Sequence, residues 1–349
     1  MLYKLKDIFD LQMGKTPSRN NIEYWNTNDY KWVSIADLTK TDKYIYDTKE
    51  YLSKKAVNES GIKIIPANTV IMSFKLSIGK TAITAEDMYS NEAIMAFHDK
   101  HIVEILPEYI FYLFKYKNWD DGSNKAVMGK TLNKAILSEV EIDICSIEEQ
   151  RKIVNVLDKI MNLISARKKE LSYLDTFTKA RFVELFGDPI INSKGLETKE
   201  LNEVLVLKAG DFTAASDISV EPTEINIYPC YGGNGIRGYV AEYNQEGEYS
   251  LVGRQGALSG NVQYATGKFK NTEHALLVKP IIRMNSIWLN QLLLNLDLKR
   301  YQTGAAQPGL SVKNLQDIQI IMVPIDEQRV FADFVHQIDK SKLQKFSAA

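Results

Sequence analysis

"SIEEQRKIVNVLDKI", Ser146 to Ile160, has a near-copy downstream, "PIDEQRVFADFVHQID", Pro324 to Asp339. Ile147, Glu149, Gln150 and Arg151 match Ile325, Glu327, Gln328 and Arg329 at an offset of 178. Around the first copy, residues 130–186 hold neither glycine nor proline, the two strongest helix breakers. Ser146 and Glu149 stand at capping-box spacing. Apolar residues then recur at helical intervals: Ile153, Leu157, Ile160, Ile164, Leu171 and Leu174. That pattern predicts one helix of about 40 residues, roughly 60 Å long, made to pair with another helix. "FGDP", Phe186 to Pro189, ends it. In the second copy Phe331, Val335 and Ile338 take the places of Ile153, Leu157 and Ile160, and the helix after Pro324 is shorter.

The repeat extends upstream of both helices. "YKLKDIFDLQMG" (Tyr3–Gly14) matches "TKELNEVLVLKAG" (Thr198–Gly210) through Leu5/Leu201, Ile8/Val204, Leu11/Leu207 and Gly14/Gly210, at an offset of 196. Gly79 and Glu92 match Gly260 and Glu273 at 181; Leu132 and Leu137 match Leu310 and Leu315 at 178. Length differences between the copies therefore fall mainly between Gly14 and Gly79. "NTVIMSF", "GKTAIT", "EYSLVG" and "GNVQYA" read as short strands, and "PEYIFYLFKY" and "NSIWLNQLLLNL" as one helix in each copy. The expected architecture is α+β: two mixed α/β domains in tandem, residues 1–146 and 188–324, separated by long helices at 147–187 and 325–349 that pair as an antiparallel coiled coil. The shorter second helix is expected to leave Ile153, Val156, Leu157 and Ile160 without an intramolecular partner, and a bare apolar seam favours self-association.

At 349 residues with 45% hydrophobic and 25% charged residues, the chain suits a globular protein with two cores. No apolar run is long enough to span a membrane, and "MLYKLKDIF" is unlike a signal peptide. Cys145 and Cys230 lack metal spacing, so a cytoplasmic protein with two plain thiols is expected. A net charge of −1 excludes a globally basic nucleic-acid binder, though not a local basic face. "GKT" at Gly14, Gly79 and Gly129 is not a phosphate loop, because Phe9, Phe74 and Asn124 stand where its first glycine belongs. Asn-Pro-Pro-aromatic, the methyltransferase signature, is absent. His98 and His101 lack a metal-completing partner and are expected in a solvated loop. Asp188, Glu197 and Lys199 have the order of a nuclease Asp…Glu-x-Lys set, a short and common pattern. No catalytic residue, metal ligand or cofactor site is assigned to this chain.

Glycine-rich polar loops in duplicate remain. "YGGNGIRGY" and "VGRQGALSG" carry Asn234, Arg237, Arg254, Gln255 and Asn261, side chain types that pair with guanine and adenine edges in the major groove. Glycine lets the backbone approach phosphates. The first copy offers Lys15, Arg19, Asn20, Asn21, Lys75 and Lys80; Lys130 and Gln307 complete the candidate DNA-binding set.

The opening "G-K-T-P-S…Y-W…Y-K-W", the "V-G-R-Q-G-A" loop, and "E-Q-R" entering a long helix that ends "F-G-D-P" resemble the specificity subunit of type I restriction–modification systems. The resemblance runs from Leu2 to about Lys340. It implies two target recognition domains reading the halves of a split, asymmetric double-stranded DNA site, with the helices as a spacer. It also implies docking of two methyltransferase subunits and a nuclease/translocase subunit, which would hold the S-adenosylmethionine, ATP and magnesium. A duplicated helical-spacer scaffold for protein assembly, without DNA reading, fits the same repeat.

Overall fold

The computed structural model describes residues 1–25, 27–75, 77–119, 132–304 and 308–347. The chain divides into two compact units, Met1–Ala166 and Arg167–Ala349. The division falls inside a single helix of 40 residues, Ile147–Phe186.

Unit 1 runs β1 (Leu2–Lys4), α1 (Leu5–Ile8), β2 (Phe9–Met13), β3 (Tyr30–Val33), α2 (Ile35–Lys40), β4 (Tyr44–Ile45), β5 (Glu50–Leu52), α3 (Lys54–Ser60), β6 (Val70–Ser73), β7 (Thr81–Thr84), β8 (Tyr89–Ser90), β9 (Ile94–Asp99), α4 (Pro107–Tyr116), α5 (Lys134–Ser138), β10 (Glu141–Asp143) and the start of α6 (Ile147–Phe186). Its main sheet has the order β2-β9-β6-β7-β4, beside a smaller sheet β5-β3-β8. Alternation sorts the strand residues: Val70, Met72, Ile83, Met95 and Phe97 face α4, while Ile71, Ala82, Ile94 and Ala96 form a second core on the opposite face. Pro107 opens α4, whose Phe111, Phe114 and Tyr112 are buried.

Unit 2 repeats the plan: β11 (Thr198–Glu200), α7 (Leu201–Val204), β12 (Leu205–Ala209), β13 (Tyr228–Gly232), β14 (Gly235–Val240), β15 (Gln245–Gly253), β16 (Val262–Asn271), β17 (Ala275–Pro280), α8 (Ser286–Asn295), α9 (Val312–Gln316), β18 (Gln319–Ile321) and α10 (Ile325–Ser347). Its sheet order is β12-β17-β15-β16-β13-β14. The correspondence holds bond by bond. Leu2 pairs with Asp143 as Thr198 pairs with Ile321. Gly14 N donates to Ile94 O, and Gly210 N to Ala275 O. Trp32 and Val33 run parallel to Tyr89 and Ser90, as Cys230 and Tyr231 do to Lys270 and Asn271. The length difference has a physical form. Between β3 and β6 the first copy has α2, β4, β5 and α3, where the second, between β13 and β15, has only β14.

The duplicated Glu-Gln-Arg triplet is explained by its middle residue. Gln150 is fully buried; its Nε2 donates to Glu104 O (2.9 Å) and Cys145 O (3.0 Å), and its Oε1 accepts from Leu106 N (2.9 Å). Gln328, also buried, donates to Val323 O (2.7 Å) and accepts from Asn285 N (2.8 Å). Each glutamine fastens the first turn of a long helix to the N-cap residue of an earlier one, Leu106 of α4 for Gln150 and Asn285 of α8 for Gln328. Of the expected capping box only one half is seen: Ser146 Oγ accepts from Glu149 N at 3.3 Å, while the Glu149 carboxylate pairs with Lys152. Gly187, with φ +80°, ends α6 in the left-handed conformation that glycine adopts without penalty.

Within unit 2, α6 and α10 pair antiparallel. Contacts step in opposite directions along the two helices: Phe182 to Phe331 (5.5 Å between ring centroids), Phe177 to Phe334 (5.4 Å), and Asp175 to Lys342 (2.8 Å). Phe182, Phe186, Trp288 and Phe331 form a buried aromatic cluster where the pair meets α8. Toward its N-terminus α6 departs from the expected bare seam. Ile153 and Leu157 are half-buried against the unit 1 core, together with Val154 and Met161. Amphipathic residues at the start of a helix that leaves a domain pack on that domain first. Val156, Ile160, Leu163 and Ile164 remain exposed. Leu171, Leu174 and Ile338 are half-buried, and Val335 is buried.

Candidate nucleic-acid interface

In unit 2 the two glycine-rich stretches come together at one end of the sheet. Gly233 and Asn234 form the two-residue turn between β13 and β14, and the left-handed backbone that glycine allows falls just after it, at Gly235 (φ +99°). This turn lies against the loop between β15 and β16, Arg254–Asn261. A Cβ on Gly253 would stand 2.1 Å from Gly233 O, so only glycine permits the approach. Asn261 Nδ2 donates to Asn234 Oδ1 at 2.6 Å, linking the two loops. A third segment joins through the Gln255–Gly309 bridge and the Leu310 N to Arg254 O bond (2.8 Å). Gln302 Nε2 reaches Ser259 O at 2.5 Å. Asn234, Arg237 and Gln255 are exposed here, with Arg254 and Asn261 half-buried. The Arg237 stem lies over Gly232, where a Cβ would meet its Cδ at 2.4 Å.

The matching loop in unit 1 is Phe74–Lys80, in which Lys75 and Lys80 are the counterparts of Gln255 and Asn261. Phe74 N donates to Ala93 O as Arg254 N does to His274 O, and Gly79 N to Ser73 O as Gly260 N does to Gly253 O. Lys75 lies over the Phe74 ring (5.3 Å), and Lys80 Nζ donates to Thr39 Oγ1 (2.6 Å). The Gly14–Asn21 stretch is more structural than its composition suggests. Lys15 Nζ donates to Ser60 O. Arg19 forms a two-point ion pair with Glu50 and stacks over Trp25 (3.8 Å) and Trp32 (4.8 Å). Asn21 caps the short turn Ile22–Tyr24 through Glu23 N (3.2 Å), and Asn20 is exposed. Glu92 holds these parts together. The Thr16 hydroxyl donates to it, and with the charges of Lys75 and Arg19 this keeps the Glu92 carboxyl below the usual carboxylate range. Lys130 and Gln307 lie outside the described residues.

Sequence reasoning missed Glu50, Glu92, Trp25 and Trp32 as partners of the basic residues. The Glu92/Glu273 match was the available signal for Glu92. His98 is a correction: it sits on β9 rather than in a solvated loop, half-buried, with Nε2 lacking a partner and its pKa lowered by burial. With Arg151 it lines a cleft of about 690 Å³. His101 is exposed. Asp188 is occupied in a turn, accepting from Ile190 N at 2.9 Å, and Lys199 lies in β11. Among the described residues no cluster of three histidine, cysteine, aspartate or glutamate side chains is arranged to hold a metal, and no helix is long and apolar enough to cross a membrane.

The two units are copies of one α/β plan with unlike polar loops at matching positions. The family described as the type I restriction modification DNA specificity domain matches residues 1–173 and again 193–346. The chain is 31% identical to the type I restriction enzyme EcoprrI specificity subunit of Escherichia coli, over 96% of this chain and 86% of that one. It is 31% identical to the MjaIX specificity subunit of Methanocaldococcus jannaschii over 64% of this chain and 55% of that one. A solved S subunit of a type I restriction–modification system from M. genitalium covers 100% of this chain and 91% of its own, with a TM-score of 0.54 and 16% identity, a likeness of fold. The chain belongs to the type I restriction–modification DNA specificity family and carries two copies of its domain. Specificity subunits are the non-catalytic members of their systems.

Proposed function

We propose that residues 1–146 and 188–324 are two target recognition domains, each reading one half of a split, asymmetric double-stranded DNA site. The helices at 147–187 and 325–349 serve as the spacer. The observation that carries this reading is the pair of equivalent loops, Phe74–Lys80 and Arg254–Asn261, held by the same backbone bonds but carrying different polar side chains. Equivalent scaffolds with unlike contacts suit unlike half-sites, which a symmetric homodimer would read identically. Lys15, Arg19, Asn20, Asn21, Lys75, Lys80 and Lys130 would serve the first half-site, and Asn234, Arg237, Arg254, Gln255, Asn261 and Gln307 the second. Tight ties on Arg19 and Asn21 favour positioning roles for them over base contacts.

In this reading the chain docks two methyltransferase subunits and a nuclease/translocase subunit in the cytoplasm, with S-adenosylmethionine, ATP and magnesium held by those partners. Ile160 and Ile164, exposed on α6, would meet the partner subunits; Leu171, Leu174, Phe331, Val335 and Ile338 would hold the spacer pair, and Ile153 and Leu157 would seat α6 on its own domain. Mapping methylated adenines in a genome carrying this system tests the reading. Two short conserved blocks separated by a fixed unread gap are expected. A single continuous block, or no motif that depends on this chain, would favour the scaffold without DNA reading.

A further inference from the structure

Under α8 in unit 2 lies an open cavity of about 300 Å³, walled by Glu248, Tyr264, Gln291, Val335, His336 and Asp339 with their neighbours. In unit 1 the same place is filled. Tyr44 of β4 lies beside Ile83, its hydroxyl donating to Glu108 Oε1 at 2.6 Å. Lys43 Nζ donates to Asp158 Oδ1 at 2.6 Å and stands 5.2 Å from the Tyr112 ring centroid. The cavity walls are the repeat counterparts of the residues around that lysine and tyrosine. Tyr264 corresponds to Ile83, Gln291 to Tyr112, Val335 to Leu157 and His336 to Asp158.

What the second copy lacks is the filler. In unit 1, β4 pairs in parallel with the outer edge of β7 at Ile83 and Thr84. In unit 2, β13 meets β16 only at Lys270 and Asn271, so among the described strands none lies on the outer side of Tyr264 and Ala265. The cavity is also acidic. Glu248 accepts from Ser286 Oγ (2.7 Å) and Tyr264 OH (2.8 Å), bonds that hold its carboxyl below the usual range. Asp339 is paired with Lys342 (3.1 Å), whereas among the described residues no lysine or arginine forms an ion pair with Glu248.

We propose that this cavity and the adjoining β16 edge are the docking site for an extended segment of a protein partner that presents a lysine next to an aromatic residue. The segment adds a short strand at Tyr264–Ala265, places its ring against Val335 and Gln291, and brings its amine to Glu248. Lys43 and Tyr44 are the internal precedent for the shape of that occupant; their partners Asp158 and Glu108 have His336 and Ile287 as counterparts, so in unit 2 the acid is supplied by Glu248. The inference rests on the assembly role proposed above only for the existence of a partner.

The first test titrates a fluorescein-labelled peptide with this chain's own Thr41–Asp47 sequence into the full chain. Saturable binding is expected, weakened roughly tenfold by Glu248→Gln, further by Glu248→Lys, and unchanged by Glu242→Lys. A peptide with glutamate in place of the lysine should not bind. Thermal melting verifies that each variant folds. No binding, or equal binding to Glu248→Lys, overturns the proposal. The second test places photoreactive p-benzoylphenylalanine at position 291 of the full chain, assembled with its methyltransferase subunit. Cross-linking to a partner segment with a basic residue beside an aromatic one supports the proposal; cross-linking only within this chain, or to DNA, refutes it. The peptide arm needs neither DNA nor partner, so its failure and the failure of the restriction reading are separately visible.

Discussion

Gln150 and Gln328 show how a polar residue comes to anchor a hydrophobic fold. Each side chain satisfies backbone groups at a helix junction where water has no access, and neither could be replaced by an apolar residue without orphaning them. Gln150→Leu and Gln328→Leu should each destabilise the unit concerned by about 2 kcal/mol, read as a lower urea midpoint with an unchanged slope. Arg254 poses a different problem, since its proposed value lies in contacts with DNA. Arg254→Ala should leave stability nearly unchanged and relax preference in one half-site by about 1–3 kcal/mol, measured by binding to a library of half-site variants. Uniform weakening across all sequences would assign Arg254 to a phosphate. The sequence marked Arg254 and Arg19 alike as candidate contacts. Only the structure distinguishes them, because the Glu50 carboxylate that pairs with Arg19 lies 31 positions further along the chain.

Long helices are where local sequence speaks most clearly. The span of α6, its stop at Phe186 and the start of α10 at Ile325 follow from the glycine- and proline-free run, "FGDP" and Pro324. Seam burial was less legible, because helical periodicity identifies an apolar face without naming what covers it. Ile153 and Leu157 are covered by their own domain, while Ile160 is 47% exposed. Phe331→Ala should therefore cost about 3–4 kcal/mol, since Phe331 is fully buried against Phe182 and Phe186. Ile160→Ala should change monomer stability by less than about 0.5 kcal/mol. Thermal melts of the two variants decide this. Equal losses would mean that the exposed face at Ile160 is covered in solution, and light scattering at increasing concentration would then show the associated species.

At the scale of the whole molecule, the repeat was readable because it was conserved in matched pairs of buried apolar residues, such as Leu5/Leu201 and Ile8/Val204, which pack the same way in both units. The sheets were harder to foresee. Strand order depends on pairings such as β2 with β9 and β12 with β17, which bring together residues far apart in sequence. The insertion between Gly14 and Gly79 was visible as a changing offset, but not as the extra strand that fills the first copy's side pocket and leaves the second copy's open. The consequence for function is modularity. β11 and β18 close residues 198–321 around a core that Phe182, Phe186 and Phe331 of the two helices complete, and in the proposed reading this segment carries the contacts with one half-site. Replacing Thr198–Pro324 by the corresponding segment of another family member should change one block of the methylated motif and leave the other intact. The gap should stay the same length, because both helices remain. Sequencing the methylated adenines of a strain carrying the hybrid reads all three features together. If both blocks changed, the two domains would be sharing one reading surface; if neither did, specificity would lie outside residues 198–324.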